Sequence, residues 1–263
     1  MRHLVLAIGL LVSFSSLAWG QEPETSAFYR ERATALWHQA NYEGAIASYT
    51  RAIEIDEASR KTRQASETDL NLLAGAYTSR AQVRRMLGNF DGALADNDKS
   101  IELRPQLAEA FYQRGVTHKM AGDPRSAVSD YTEAIRLDSR FARAYIARGF
   151  ARNELNDAAG SLKDYDVGIE LDPKDAQAYF FRGVSRANSH DYAGALNDYG
   201  KIIEINPRDP MGYRLRGLMF LVLGRDSEAE KDLREYLRLD PAGKVELEKL
   251  VNQIKAHRKA DSW

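Results

Sequence analysis

Residues 179–199 read YFFRGVSRANSHDYAGALNDY, and the same pattern returns at 111–131 (FYQRGVTHKMAGDPRSAVSDY) and 145–165 (YIARGFARNELNDAAGSLKDY). A diverged copy, YRLRGLMFLVLGRDSEAEKDL, occupies 213–233, and Arg-Gly recurs at 114–115, 148–149, 182–183 and 216–217, each step 34 residues. A fixed period of this size marks a solenoid whose units bury their apolar faces against one another. The opening stretch also holds Ser185, His190 and Asp191, the residue types of a nucleophilic site. Triads are recognised by geometry and roles rather than by nearness in sequence. Here the repeat supplies another reading. His190 falls where other copies carry Gly88, Gly122 and Gly224, Asp191 matches Asn89, Asp123 and Asp157, and Ser185 matches Ala151. The first two are turn and cap chemistry.

Numbering each unit 1 to 34 places six of them at 26–59, 74–107, 108–141, 142–175, 176–209 and 210–243. Position 4 is always aromatic (Tyr29, Tyr77, Phe111, Tyr145, Tyr179, Tyr213), and position 8 is always small (Ala33, Ala81, Gly115, Gly149, Gly183, Gly217). Position 20 is Ala45, Ala93, Ala127, Ser161, Ala195 and Ala229, and position 32 is proline at Pro105, Pro173, Pro207 and Pro241. On these positions the chain resembles the tetratricopeptide repeat family. The resemblance implies an all-α fold, a right-handed superhelical solenoid of six helix hairpins.

Each unit reads as two antiparallel helices, near positions 1–14 and 15–30, so residues whose positions sum to nearly 30 lie level across the hairpin. Small residues at 8 and 20 then let the backbones approach. The proline near 32 stops the second helix. Position 7 is Arg in every unit, from Arg32 onward, and position 23 is Asp in five. The sum rule predicts structural pairs Arg80 with Asp96, Arg114 with Asp130, Arg148 with Asp164, Arg182 with Asp198, and Arg216 with Asp232, each a fork meeting a carboxylate. Arg84, Arg152 and Arg186 at position 11 have no partner by this rule.

Outside the repeats, residues 1–20 combine Arg2, an apolar run from Leu4 to Val12 and a small-residue end at Ala18-Trp19-Gly20. This is the pattern of a secretory signal peptide cleaved before Gln21, and it predicts an exported, periplasmic or secreted protein with no stable membrane insertion after cleavage. Residues 21–25 form a short linker, the array spans 26–241, and 60–73 is an insert between the first two units. Glu57 stands in place of the stop proline, so the first unit's second helix is expected to run on, with Ser66 starting the next. Residues 242–263 read as a capping helix and tail, with an apolar stripe of Leu247, Leu250, Val251 and Ile254.

With 263 residues, 44% hydrophobic and 29% charged, the chain has ample material for a continuous core. The net charge of -1 gives no basic field for nucleic acid or anionic lipid. Absent cysteine removes disulfides, thiolate metal sites and cysteine nucleophiles. The five histidines occupy unrelated repeat positions, none paired at metal-ligand spacing, and no glycine loop resembles a phosphate cradle. No catalytic residue, metal site or cofactor is predicted.

The resemblance implies that positions 2, 5, 9 and 12 face a concave groove. Positions 5 and 9 are polar in the first two units (Arg30, Thr34, Thr78, Gln82). They turn apolar and aromatic in the last four: Tyr112, Val116, Ile146, Phe150, Phe180, Val184, Arg214 and Leu218. Phe181, Leu215 and Leu221 extend the strip. Large apolar side chains on an inner surface can mark a partner site, and the expected role is a non-catalytic scaffold binding an apolar peptide or helix of another protein in units three to six; the alternative for the strip is cover by neighbouring units, by residues 21–32 or by the C-terminal helix. The rival is an enzyme or small-molecule binder using the polar groove of units one and two. The family's clamp for a C-terminal carboxylate is not matched, since Arg30, Thr34, Ser79, Glu109 and Gln113 stand at its positions.

Overall fold

The computed structural model describes residues 25–62 and 64–260. The expected signal segment lies outside the described residues. Among these, thirteen α-helices follow one another: α1 (Ser26–His38), α2 (Tyr42–Thr62), α3 (Glu67–Met86), α4 (Phe90–Leu103), α5 (Ala108–Met120), α6 (Pro124–Leu137), α7 (Ala142–Glu154), α8 (Ala158–Leu171), α9 (Ala176–Asn188), α10 (Tyr192–Ile205), α11 (Pro210–Val222), α12 (Asp226–Leu239) and α13 (Lys244–Ala260). They pack as consecutive hairpins, α1 with α2 through α11 with α12, and each hairpin stacks on the next. The first helices also touch one another, α3 with α5, α5 with α7 and α7 with α9, whereas no comparable contact joins the second helices. The first helices therefore make the inner wall of a curved array.

Each hairpin turns through one left-handed residue at position 15: Ala40, Gly88, Gly122, Asn156, His190 and Gly224 all have φ between 57° and 84°. The turn is a Schellman closure that satisfies the carbonyls at the helix end. At His190, the Asp191 N–H reaches the Arg186 carbonyl (2.8 Å) and the His190 N–H that of Ala187 (3.0 Å). Asp191 then caps the following helix, its side chain accepting from the Gly194 N–H at 2.9 Å. Asn41, Asn89, Asp123 and Asp157 do the same in their units. One two-residue unit thus ends a helix and starts the next.

The glycines at position 8 have a different reason. A Cβ on Gly115, Gly149 or Gly183 would stand 2.7–2.8 Å from a ring carbon of Tyr131, Tyr165 or Tyr199, the position-24 tyrosine of the same hairpin. The close approach is chiefly of backbone to ring, and the ring fills the hairpin interior.

The insert is absorbed by both flanking helices. α2 runs on to Thr62 with Glu57 accepting from the Tyr77 hydroxyl at 3.1 Å. Ser66 caps α3 in a reciprocal capping box with Asp69. At the other end, Leu247 of α13 is buried, and Val251 and Ile254 pack with it over Leu221, Leu233 and Tyr236. Arg258 fixes this cap: Nη1 donates to the Leu221 carbonyl (3.0 Å) at the end of α11 and to Asp226 (2.6 Å).

A Cβ in the left-handed region costs about 1 kcal/mol, and His190 is exposed there with φ 63°. His190→Gly is expected to stabilise the chain by up to about 1 kcal/mol, part of which the freer unfolded backbone takes back. Urea unfolding of both proteins reads this directly; a loss of stability would show that the hydrogen bond between His190 Nδ1 and the Tyr192 hydroxyl (2.7 Å) outweighs the strain.

Candidate functional site

The arginines at position 7 hold the hairpins. Arg80, Arg114, Arg148, Arg182 and Arg216 each meet the position-23 aspartate through Nε and Nη2, at 2.6–3.1 Å. Position 11, whose role the sum rule leaves open, sends a second guanidinium to the same carboxylate: Arg84 to Asp96 (2.9 Å), Arg152 to Asp164 (2.8 Å) and Arg186 to Asp198 (2.9 Å). Asp198 is wholly buried between its two arginines. The remaining nitrogen of the position-7 arginine reaches back to the preceding unit, to Thr50, Asp98, Thr132 and Asp166 at 2.7–3.1 Å. Its guanidinium also lies over the position-4 ring at 5.5–5.6 Å in units two to five. In the first unit position 23 is Ser48, and Arg32 is exposed. These side chains are tied into the frame and leave little to offer a ligand.

On the inner wall the structure brings Tyr112, Ile146, Phe150 and Phe181 together around a pocket of about 290 Å³. Phe150 meets Phe181 edge-on (5.0 Å between centroids), and Tyr112 approaches Tyr131 (5.8 Å). Lys119, Arg143, Asp175 and Gln177 complete the rim. A second pocket of about 320 Å³ adjoins it, lined by Phe180, Phe181, Gln177, Ile202 and Met211. Both are open grooves between first helices of successive units.

The expected strip needs correcting in one respect: its side chains are not freely exposed. Ile146 is 5% exposed and belongs to the core with Tyr165, Ile169 and Tyr179. Its Cγ1 sits where a Cβ on Gly168 of α8 would be, 2.7 Å away, so the missing side chain on α8 draws it inward. Val116, Phe180, Phe181, Val184, Leu215 and Leu218 are half-buried. Leu215 packs on the same core, and Leu218 on the C-terminal one. Arg214 is half-buried, without an ion pair among the described residues.

Sequence reading missed Lys119, Arg143 and Gln177 because positions 2 and 12 were assigned to the groove but only 5 and 9 were read along it. It missed Tyr131 because position 24 belongs to the second helix. The recurrence of Tyr49, Tyr131, Tyr165 and Tyr199 was the available signal.

In the first two units three of the polar groove residues, Arg30, Thr34 and Thr78, are occupied with the frame. Thr34 meets the Tyr49 hydroxyl (3.1 Å), Thr78 meets Ser100 (2.9 Å), and Arg30 donates to Asp56 (2.6 Å). Among the described residues no three His, Asp or Glu side chains cluster as metal ligands would.

Helical hairpins stacked with their first helices inward define a superhelical repeat protein of the interaction-scaffold class. The tetratricopeptide repeat profile matches residues 15–60, 112–176 and 182–244, and the chain belongs to that family. No curated protein sequence matches the chain. Among solved structures it is similar to MamA, at 25% identity over 62% of this chain and 96% of that one, with a TM-score of 0.58. It is also similar to YrrB, a TPR protein with an unusual peptide-binding site, at 21% identity over 70% and 92% of the two chains, with a TM-score of 0.56. PilF of Pseudomonas aeruginosa matches at 15% identity over 88% and 97%, with a TM-score of 0.69. The last two are likenesses of fold.

Removing a carboxylate shared by two guanidiniums leaves uncompensated buried charge. Asp198→Ala is expected to cost about 3 kcal/mol in chemical unfolding, more than the roughly 1 kcal/mol that a single half-buried pair would give. A cost under about 1 kcal/mol would mean that solvent reaches Arg182 and Arg186 freely.

Proposed function

We propose that this protein is a non-catalytic scaffold whose inner wall, from α5 to α11, binds an apolar segment of another protein. The observation that carries this reading is the pair of adjoining pockets, about 290 and 320 Å³, which share Gln177 and Phe181 and gather the rings of Tyr112, Tyr131, Phe150, Phe180 and Phe181. Specificity sites of this kind are concave and mostly apolar with a few placed polar groups. The fold it shares with the peptide-binding YrrB supports the same reading.

A displayed library of random peptides selected on the full chain tests it. Selected peptides should lose about tenfold in affinity on Phe150→Ala and on Phe180→Ala, as buried aromatic anchors do. Thermal unfolding should fall less for these variants than for Tyr179→Ala, whose ring is 8% exposed in the core. Selected peptides that bind both variants as tightly as the parent would sink the groove.

For its setting we propose the exported side of a membrane, on the strength of the basic start, apolar run and small-residue end of residues 1–20. Mass spectrometry of the native protein should find a mature terminus at or within a few residues of Gln21. An intact Met1 terminus would overturn the export reading and leave the groove untouched.

A further inference from the structure

The pocket between α5, α7 and α9 has a polar floor and a cationic surround that an apolar guest alone would not use. Tyr131, at the floor, is 2% exposed and lines the pocket. Its hydroxyl has no hydrogen-bond partner among the described residues, whereas the matching hydroxyl of Tyr49 is bonded to Thr34. Burial pushes the Tyr131 hydroxyl well above its ordinary pKa, so it stays a neutral donor and acceptor.

Behind Tyr112 and Tyr131 stands Arg85. Its Nη1 bonds to Gln113 Oε1 (3.1 Å) and Thr117 Oγ1 (3.4 Å), and it makes no ion pair among the described residues. Desolvation lowers its pKa, the mark of a cation lacking a counter-charge. At the rim, the Lys119 ammonium lies 4.2 Å over the Phe150 ring and the Arg143 guanidinium 5.2 Å from that of Tyr112. Their carboxylate neighbours are open to solvent: Glu154 is 3.7 Å from Lys119, and Glu109 accepts at 3.2 Å from Arg143, which is 61% exposed. Exposed pairs of this kind are weak and exchange readily. The nearby Asp175 already accepts from the Gln177 and Ala178 N–H groups. Along groove positions 2, 5, 9 and 12 the charged residues are Arg30, Arg85, Lys119, Arg143 and Arg214 against Glu109 alone.

We propose that this pocket takes one aromatic side chain with a polar tip, tyrosine or tryptophan, from a partner segment whose flanking residues are acidic. The inference rests on the groove reading above and names its guest. The guest ring packs against Phe150 and Phe181, and such rings bring large apolar area at low conformational cost. Its hydroxyl or indole N–H meets Tyr131, which a phenylalanine would leave unpaired at a cost. Flanking carboxylates take Lys119 and Arg143 from Glu154 and Glu109, while the field of Arg85 disfavours a basic segment.

Synthetic twelve-residue peptide pools, fluorescein-labelled, provide the test by anisotropy against the full chain. Each pool fixes the central residue as Tyr, Phe or Ala and fills the flanks with either Asp/Glu or Lys/Arg. The acidic Tyr pool should bind at least tenfold tighter than the acidic Ala pool and the basic Tyr pool, and severalfold tighter than the acidic Phe pool. Tyr131→Phe, which keeps the ring that packs on Gly115, should erase the Tyr-over-Phe preference. Lys119→Glu, on a half-buried rim position, and Arg143→Glu, on an exposed one, should erase the acidic preference. Equal binding of acidic and basic Tyr pools, or a Tyr preference that survives Tyr131→Phe, overturns the inference. If library-selected peptides still depend on Phe150 and Phe180 in that case, the groove stands and only its guest is wrong; if none do, both fall.

Discussion

The array depends on one arrangement: a buried carboxylate at position 23 gripped by the position-7 guanidinium of the facing helix. Breaking such a pair leaves two desolvated charges without partners, so each hairpin from the second unit to the sixth has one admissible register. The same guanidinium lies on the aromatic ring at position 4, and its spare nitrogen reaches the preceding hairpin in four of the junctions. Intra-hairpin register and inter-hairpin stacking are therefore fixed by a single side chain. Arginine fits the task because its planar fork makes the bidentate bond and still has a donor to send elsewhere.

The frame decides what the inner wall offers. Tyrosines at position 24 fill four of the six hairpins from the second helix, and Tyr131, Tyr165 and Tyr199 lodge against the glycine at position 8. In units three to six the side chains at positions 5 and 9, Ile146 excepted, are half-buried, neither core nor free surface. Where those are Tyr112, Phe150 and Phe180, gaps between rings become pockets. Tyr131 takes part in both layers. Its ring packs against Gly115, and its outer end reaches the pocket.

The hairpins, their turns and the Arg–Asp level were legible because each recurs with the period, and a repeated pattern amplifies weak local signals. His190 shows the gain: alone it suggests catalysis, and aligned with Gly88 and Gly122 it is a left-handed turn residue. What remained hidden was whatever depends on two units differing. Ile146 sinks into the core because Gly168 on its partner helix has no side chain, and no rule for positions 5 and 9 contains that information. Arg152 and Arg186 could not be assigned because position 11 sums to no aspartate, yet an arginine is long enough to reach the neighbouring carboxylate one turn away. The cationic rim was spread over Lys119 and Arg143, on different helices and at different positions, and became a cluster only in three dimensions.

One junction lacks the reach-back bond. Arg216 finds Gly200 where earlier units supply threonine or aspartate, and its hydrogen bonds go to Asp232 within its own unit. The fifth and sixth units are therefore joined by one polar tether fewer than the units before them. The second pocket, lined by Phe180 and Met211, opens at that joint. The wall thus sets a socket whose flanking junctions are both laced beside one whose junction is not.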